Sequence, residues 1–147
     1  MAEPEVLSAL HVLEYPYTRS VGPVIGRFLT GLRDGRIAGI RARDGRVVCP
    51  PVEYDPVTGE PLDEFVEVAD RGVVTTWTWL EQPRSNNPLD TAFAWALIRL
   101  DGADTGLLHA VDAGSAENMR TGMRARARWR AERHGHITDI ECFEPER

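Results

Sequence analysis

The stretch GVVTTWTWLEQPRSNNPLDTAFAWALIRLD, residues 72–101, contains two predicted strands on either side of a turn-rich loop. Residues 73–82 are rich in Val, Thr and Trp, which favour strands. Residues 83–90 combine Pro, Asn and Ser, as loops do. Residues 92–101 are apolar on both faces, which predicts a buried central strand, although the alanines there leave a helix open. The stretch therefore predicts the centre of a β-sheet.

Further strands are predicted on both sides of this centre. FVEVADRG precedes it at 65–72, TGLLHAVD follows at 105–112, and HITDIECFEP ends the pattern at 136–145. AGSAENM, residues 113–119, predicts a short helical turn. About five strands joined by short turns in roughly 80 residues are the size of a small closed barrel.

The N-terminal part predicts a tail and then one helix. The first fifteen or so residues resemble a tail, in which a short strand would end at Pro16. Ser20 is the expected N-cap and Gly35 the expected C-terminal stop. Between them the apolar residues have one-sided helical spacing, at Val21, Ile25, Phe28, Leu29 and Leu32. Three glycines weaken this helix, so we expect packing to hold it.

RARDGRVVCPPVEYDPVTGEP, residues 41–61, has the layout of two glycine-turned metal knuckles joined by a Pro-Pro step. A tetrahedral zinc site needs about four ligands, usually thiolates, on two such turns. The stretch has one cysteine, Cys49, and we expect it to be a small buried residue. Cys49 and Cys142 are far apart and show no disulfide spacing, so a reduced cytoplasmic location is expected.

Composition and charge restrict the function classes. The 147 residues, 42% of them hydrophobic, fit one ordinary domain. No apolar run is long enough to span a membrane, and the acidic N-terminus does not resemble a signal peptide. The net charge of -6 disfavours nucleic-acid binding, which depends on neutralising phosphates.

The basic side chains are all arginines, and they concentrate near the C-terminus. On the strand predicted within residues 123–133 four of them share one face: Arg124, Arg126, Arg128 and Arg130. Like charges on one face repel unless something negative covers them. The cover could be neighbouring Asp and Glu side chains, an acidic partner, or the phosphates of coenzyme A, which suit arginine.

No self-contained active site is evident from the sequence. His109 lies in an apolar strand and is expected to be a core histidine, while His134 and His136 are expected in an exposed turn. A metal site formed by these two histidines with Cys142 is the weaker alternative. Phosphate-binding loops and metalloprotease helices are absent from the sequence, so we predict no catalytic residue.

The order of these segments resembles a known family, the zinc-ribbon and OB-fold proteins of acyl-CoA metabolism, a domain of unknown function. FLTGLRDGRIAGIRA resembles its helix leading into the first knuckle, GVVTTWTW its first long barrel strand, and AFAWALIRLD its central strand. GMRARARWRAERHGHITDIECFEP is similar to its closing pair of strands. The resemblance extends from about residue 21 to residue 145.

The resemblance implies an α+β fold in three parts. These are a tail and helix at 1–40, a degenerate rubredoxin-like zinc ribbon at 41–62, and a five-stranded OB-fold β-barrel at 63–147. Aligning the knuckle glycines places the four ligand positions at Arg41, Asp44, Asp55 and Thr58. None is a thiolate or an imidazole, so we predict that zinc is absent, with Arg41 pairing with Asp44 and Asp55.

The resemblance also implies a function. Family members are accessory subunits that dock on thiolase-fold aldolases and thiolases, including aldolases of steroid side-chain degradation. We therefore expect a non-catalytic, cytoplasmic subunit of a hetero-oligomer, a heterotetramer, without a covalently bound cofactor. The acyl-CoA would be the substrate of the partner.

Two other functions remain open: a free-standing acyl-CoA binder and a nucleic-acid-binding OB-fold module. Nucleic-acid binding would use stacking aromatics on a basic groove. The available tryptophans are Trp77, Trp79, Trp95 and Trp129. Trp77 and Trp79 share a strand face and Trp95 lies in the buried strand, so we expect these three in the core.

Overall fold

The computed structural model describes residue 1 and residues 4–147. It contains one α-helix, α1 (Gly22–Arg33), and eight strands: β1 (Ile37–Arg41), β2 (Val47–Val48), β3 (Phe65–Val68), β4 (Arg71–Leu80), β5 (Phe93–Leu100), β6 (Leu107–Val111), β7 (Arg124–Trp129) and β8 (Ile140–Pro145). Short 3-10 helices lie at Ala116–Asn118 and Ile137–Asp139. The predicted α+β class is confirmed, and the apolar segment at 92–101 contains strand β5 and no helix.

The C-terminal strands close into a barrel in the order β4-β5-β6-β8-β7, with β7 returning to pair with β4. All pairs are antiparallel except β6 with β8, which is parallel. β5 lies between β4 and β6 along its length, as its two apolar faces predict. The five-stranded OB-fold barrel is therefore confirmed.

A bulge and a glycine bend β4 around the barrel. The register of β4 against β5 shifts between Val74 and Thr76. At Gly72 a Cβ atom would collide with the carbonyl oxygen of Arg99 and come within 2.6 Å of the Cα of Leu100. Only glycine permits this close approach of two backbones.

The segment before the barrel forms a second, smaller sheet in the order β2-β1-β3. β1 and β2 are joined by a turn in which Gly45 has a φ of 90°. The short strand β3 pairs with β1, placing Phe65 opposite Ile40. Between β2 and β3 the chain makes the second glycine turn, which is closed by a bridge between Tyr54 and Pro61.

Helix α1 ends as predicted, but it begins at Gly22, whereas an N-cap at Ser20 would have placed its first residue at Val21. The Ser20 hydroxyl accepts a hydrogen bond from the Gly22 N–H at 3.2 Å, but the helix starts only at Gly22. At the other end Gly35 has a φ of 73°, and the Arg36 N–H donates to the Gly31 carbonyl. Within the described residues neither α1 nor any other helix has the length and apolarity needed to cross a bilayer.

One apolar core joins the helix, the small sheet and the barrel. The helix and the small-sheet segment contribute side chains that include Phe28, Leu32, Ile37, Val47 and Cys49. The barrel contributes side chains that include Val74, Ile98, Leu100, Ile140 and Phe143. Leu32 and the barrel residues of this group are almost completely buried. The packing that the three helix glycines require is therefore supplied by the barrel and the small sheet.

Candidate interaction surfaces

The arginines of β7 lie on the outside of the barrel, against carboxylates of β8 and neighbouring loops. Arg124 pairs with both oxygens of Asp101 at 2.6 and 2.7 Å and with Glu146 at 3.2 Å. The hydrogen bonds that Arg124 donates to Asp101 and Glu146 raise the pKa of Arg124, and Arg124 in turn lowers the pKa of Asp101. This end of the arginine face is therefore neutralised within the chain.

The same holds further along β7. Arg126 pairs with Glu144 at 3.0 Å, and Arg128 contacts Glu141 at 2.6 Å and Asp112 at 3.1 Å. Burial works to lower the pKa of Arg128, but these carboxylates outweigh it and raise the pKa. A phosphate at Arg128 would have to displace carboxylates already in place.

Arg130 lies just beyond the end of β7, where the register against β8 shifts. Its Nε donates to the Thr138 carbonyl at 2.8 Å, and its contact with Glu141 is long, at 3.8 Å. The structure thus places Arg124, Arg126 and Arg128 side by side and Arg130 at the edge of the set.

A groove of about 1010 Å³ runs along the arginine face. Six arginine and four acidic side chains are among the residues that line it, several of them in the segment that precedes β7. Two of these arginines, Arg120 and Arg147, form no ion pair among the described residues. At these two arginines an external anion would not have to displace a carboxylate partner.

In the second glycine turn the buried carboxylate of Asp55 connects the two turns. One oxygen accepts the N–H groups of Val57 and Thr58 at 2.8 and 2.9 Å, within its own turn. The other accepts the N–H of Arg43, in the first turn, at 2.7 Å. These three backbone donors, led by Arg43, lower the pKa of Asp55. A side chain of one turn is thereby bonded to the backbone of the other.

The predicted pairing of Arg41 with Asp44 and Asp55 is wrong. Arg41 pairs with Glu64 at 2.8 Å because the backbone pairing of β1 brings Glu64 alongside, and its Nη1 donates to the Gly45 carbonyl. Asp44 instead accepts the Nε of Arg46 at 2.8 Å, and its pKa is lowered by the Arg46 backbone and side chain.

The four predicted ligand positions do not fit a zinc ion. Arg41 brings a cation, and the Thr58 hydroxyl accepts the Glu60 N–H. The carboxylates of Asp44 and Asp55 are already used by arginine and backbone donors. Across residue 1 and residues 4–147, His, Cys, Asp and Glu side chains nowhere gather in threes suited to a metal.

His109, His134, His136 and Cys49 lie where the sequence predicts. His109 is buried against Phe143 with ring centroids 5.4 Å apart, and burial lowers its pKa. His134 and His136 are exposed. Cys49 and Cys142 are buried, free thiols, and burial raises their pKa to about 12 and about 11. They are poor nucleophiles at neutral pH.

Asp139, a second buried carboxylate, was not anticipated. It accepts the N–H groups of His134, Gly135 and His136 at 2.9, 2.8 and 3.1 Å. Burial works to raise its pKa, but these donors lower it overall. A sequence signal was available for Asp55, since Asp followed by Pro favours the start of a turn, but the loop at Asp139 has none as clear.

The tryptophans contribute to packing. Trp77, Trp79 and Trp129 are half-buried against the main core, and Trp95 packs edge-on to Phe93 at 5.2 Å. The indole N–H of Trp129 donates to Asp70 at 3.3 Å. They do not form an exposed stacking platform.

Outside the barrel strands, large apolar side chains of the described residues are left uncovered at two places. One is on the second turn, where Val52, Tyr54 and Val57 are exposed. The other is the segment before α1, which has no regular secondary structure between residues 4 and 20 and carries several large exposed apolar side chains.

Comparison with known proteins supports the predicted resemblance. Residues 65–130 match the family model described as ChsH2, C-terminal OB-fold domain. A protein of unknown function from the DUF35 family of Sulfolobus solfataricus has a similar structure (TM-score 0.65, 22% identity, 86% of this chain and 85% of that chain covered). A chain of the Ltp2-ChsH2(DUF35) aldolase is also similar (TM-score 0.63, 19% identity, 87% and 98% covered). No curated protein matches the chain.

Proposed function

We propose that this chain is a non-catalytic accessory subunit of a thiolase-fold aldolase or thiolase that acts on acyl-CoA thioesters. The observation that carries the proposal is the likeness to a chain of the Ltp2-ChsH2(DUF35) aldolase, which extends over 87% of this chain and 98% of that one. The match of residues 65–130 to the ChsH2 OB-fold model supports it independently.

The internal chemistry is consistent with a subunit that binds rather than reacts. The two thiols are protonated, His109 is buried, and the carboxylates of Asp55 and Asp139 are held by backbone donors. In the proposed complex the partner supplies the nucleophile. Retro-aldol cleavage of a steroid side chain attached to CoA is the reaction class that we propose for the partner.

The segment 41–62 acts in this proposal as a metal-free docking element. Asp55 joins its two turns, and exposed Val52, Tyr54 and Val57 are available to a partner. Elemental analysis of the purified chain tests the metal proposal. A zinc content well below one ion per chain is expected, and one zinc per chain would refute it.

The test of the function is co-expression of this chain with a thiolase-fold protein encoded in the same genome. We expect co-purification at a fixed ratio, a mass that fits a heterotetramer, and an enzyme that is inactive or insoluble without this chain. A monodisperse partner that is fully active alone would refute the proposal.

The groove on the arginine face supports acyl-CoA binding by the free chain as a second candidate. Arg120 and Arg147 are the cations that would meet the phosphates. Calorimetry of the isolated chain with CoA distinguishes the two functions. Binding that is lost in the Arg120→Ala and Arg147→Ala variants would favour a free-standing binder, and no heat would favour the accessory role alone.

A further inference from the structure

The segment before α1 presents apolar side chains that nothing in the described chain covers. Seven large apolar residues of residues 4–17 are at least 61% exposed: Val6, Leu7, Leu10, Val12, Leu13, Tyr15 and Tyr17. Within the described residues no backbone hydrogen bond joins residues 4–19 to the small sheet or the barrel. So dense an exposed apolar set is unusual for a surface without a binding role.

Three of the apolar residues in this segment would share one face of a helix, and Leu7 and Val12 would lie to either side of it. Val6, Leu10 and Leu13 follow the spacing i, i+4, i+7, which is the anchor pattern of helices that dock into grooves. Ser8 and His11 fall on the opposite side. Pro16 limits such a helix to about residues 5–14, and helices shorter than about 12 residues are marginal in water. This explains why the free chain has no helix there.

We propose that residues 5–14 fold into a short amphipathic helix when they dock into an apolar groove of the aldolase subunit, with Val6, Leu10 and Leu13 as anchors. The inference rests on the proposed function and names one of its contact surfaces. A standard interface takes about 800 Å² from each partner, and a segment this rich in large apolar side chains supplies a substantial part of that area.

Charge favours a different protein over a second copy as the occupant. Each chain carries a net charge of -6, so two copies repel one another at long range. The chain is similar in structure to a chain of the Ltp2-ChsH2(DUF35) aldolase, whose name gives two different proteins, Ltp2 and ChsH2.

The experiment measures the affinity of full-length variants for the co-expressed thiolase-fold protein. Leu10→Asp and Leu13→Asp place a charge on the anchor face, and we expect at least tenfold weaker binding. Val12→Asp and Ser8→Asp add the same charge off that face, and we expect binding within about twofold of wild type. The Tm of every isolated variant should equal that of wild type, since no residue of the segment belongs to a hydrophobic core cluster.

Each other outcome has a distinct meaning. If wild type binds and Leu10→Asp and Leu13→Asp bind equally well, this inference fails and the proposed function stands. If Val12→Asp weakens binding as much as Leu10→Asp, the segment docks extended, because residues 10 and 12 then share a face, and the helix is refuted. If the wild-type chain binds no thiolase-fold protein, the proposed function fails and the inference fails with it. Self-association that Leu10→Asp abolishes would identify a second copy as the occupant and overturn the inference.

Discussion

Replacing Leu32 tests whether the helix, the small sheet and the barrel are one folding unit. Leu32 is on α1, yet its side chain has 0% exposure and belongs to the core cluster that contains the barrel residues. Leu32→Ala removes apolar atoms from a place where α1 and the barrel meet. If the core is continuous, a change on the helix must destabilise the barrel as well.

The size of the effect follows from the burial. Removing three carbon atoms from a fully buried site costs about 0.8 kcal/mol for each in transfer free energy, or roughly 2.4 kcal/mol. The cavity left behind adds to this, and buried Leu→Ala changes cost about 2–5 kcal/mol in all. We expect about 3–4 kcal/mol, a large part of the roughly 5–15 kcal/mol stability of an ordinary domain. For a chain of this size that corresponds to a Tm lower by roughly 6–16 °C.

The chain provides two separate probes for the assay. Its four tryptophans, Trp77, Trp79, Trp95 and Trp129, are all in the barrel, so fluorescence follows the barrel. Far-UV circular dichroism at the helical band follows mainly α1. Urea unfolding of Leu32→Ala should shift both transitions to the same lower midpoint. The matched control is Thr30→Ala, an exposed position of the same helix, which should lower neither midpoint and should raise both slightly, since Ala favours a helix more than Thr does.

A fluorescence midpoint equal to that of wild type, with the dichroism transition shifted alone, would refute the reasoning. The helix would then be attached to the barrel without sharing its stability. The contacts within the single cluster of buried side chains would then not make the helix and the barrel unfold together.

Three further predictions concern single groups. Asp55→Asn leaves the size of the side chain unchanged but removes one acceptor oxygen. Amide hydrogen exchange in both glycine turns should therefore accelerate, while the tryptophan fluorescence of the native chain stays constant. Unchanged exchange would contradict the role assigned to this carboxylate. Burial lowers the pKa of His109, so the folded state favours the neutral imidazole. The contribution of His109 to the free energy of unfolding is therefore fully present above the unfolded pKa of about 6.5 and is lost as the pH falls below it. His109→Gln should flatten urea midpoints between about pH 7 and 5.5, and His11→Gln, on the exposed tail, should not. Gly72→Ala should lower the free energy of unfolding by about 3 kcal/mol or more, because the added Cβ collides with β5. Gly26→Ala, at a position of α1 where the nearest atom to an added Cβ is 3.9 Å away, should raise it by up to about 1 kcal/mol. Equal effects of the two substitutions in urea unfolding would contradict the close approach of β4 and β5.

The barrel could be predicted because its strands are marked by local patterns. The alternation in residues 73–80 and the apolar run in residues 93–100 identify β4 and β5, and each strand needs only its own residues to be recognised. The end of α1 at Gly35 is local in the same way, since a positive φ after a helix favours glycine.

The partners of charged side chains could not be predicted in the same way. Arg41 was expected to pair with acids in the glycine turns, but its partner Glu64 is 23 residues away and comes close only through the pairing of β1. The carboxylates opposite Arg124 and Arg128 likewise come from loops and from β8. Sequence spacing fixes which face of β7 the arginines share, whereas the barrel closure decides which acids face them.

Asp55 shows how a single side chain can hold two glycine turns together. A zinc ion would hold the two glycine turns together by drawing ligands from both. Here the carboxylate belongs to one turn and reaches the Arg43 N–H of the other, so one group makes both attachments. Because its donors are backbone amides, the arrangement constrains side chains elsewhere in the turns very little. The outward positions of the second turn are therefore free to carry Tyr54 and Val57, which are the residues that a docking partner would contact.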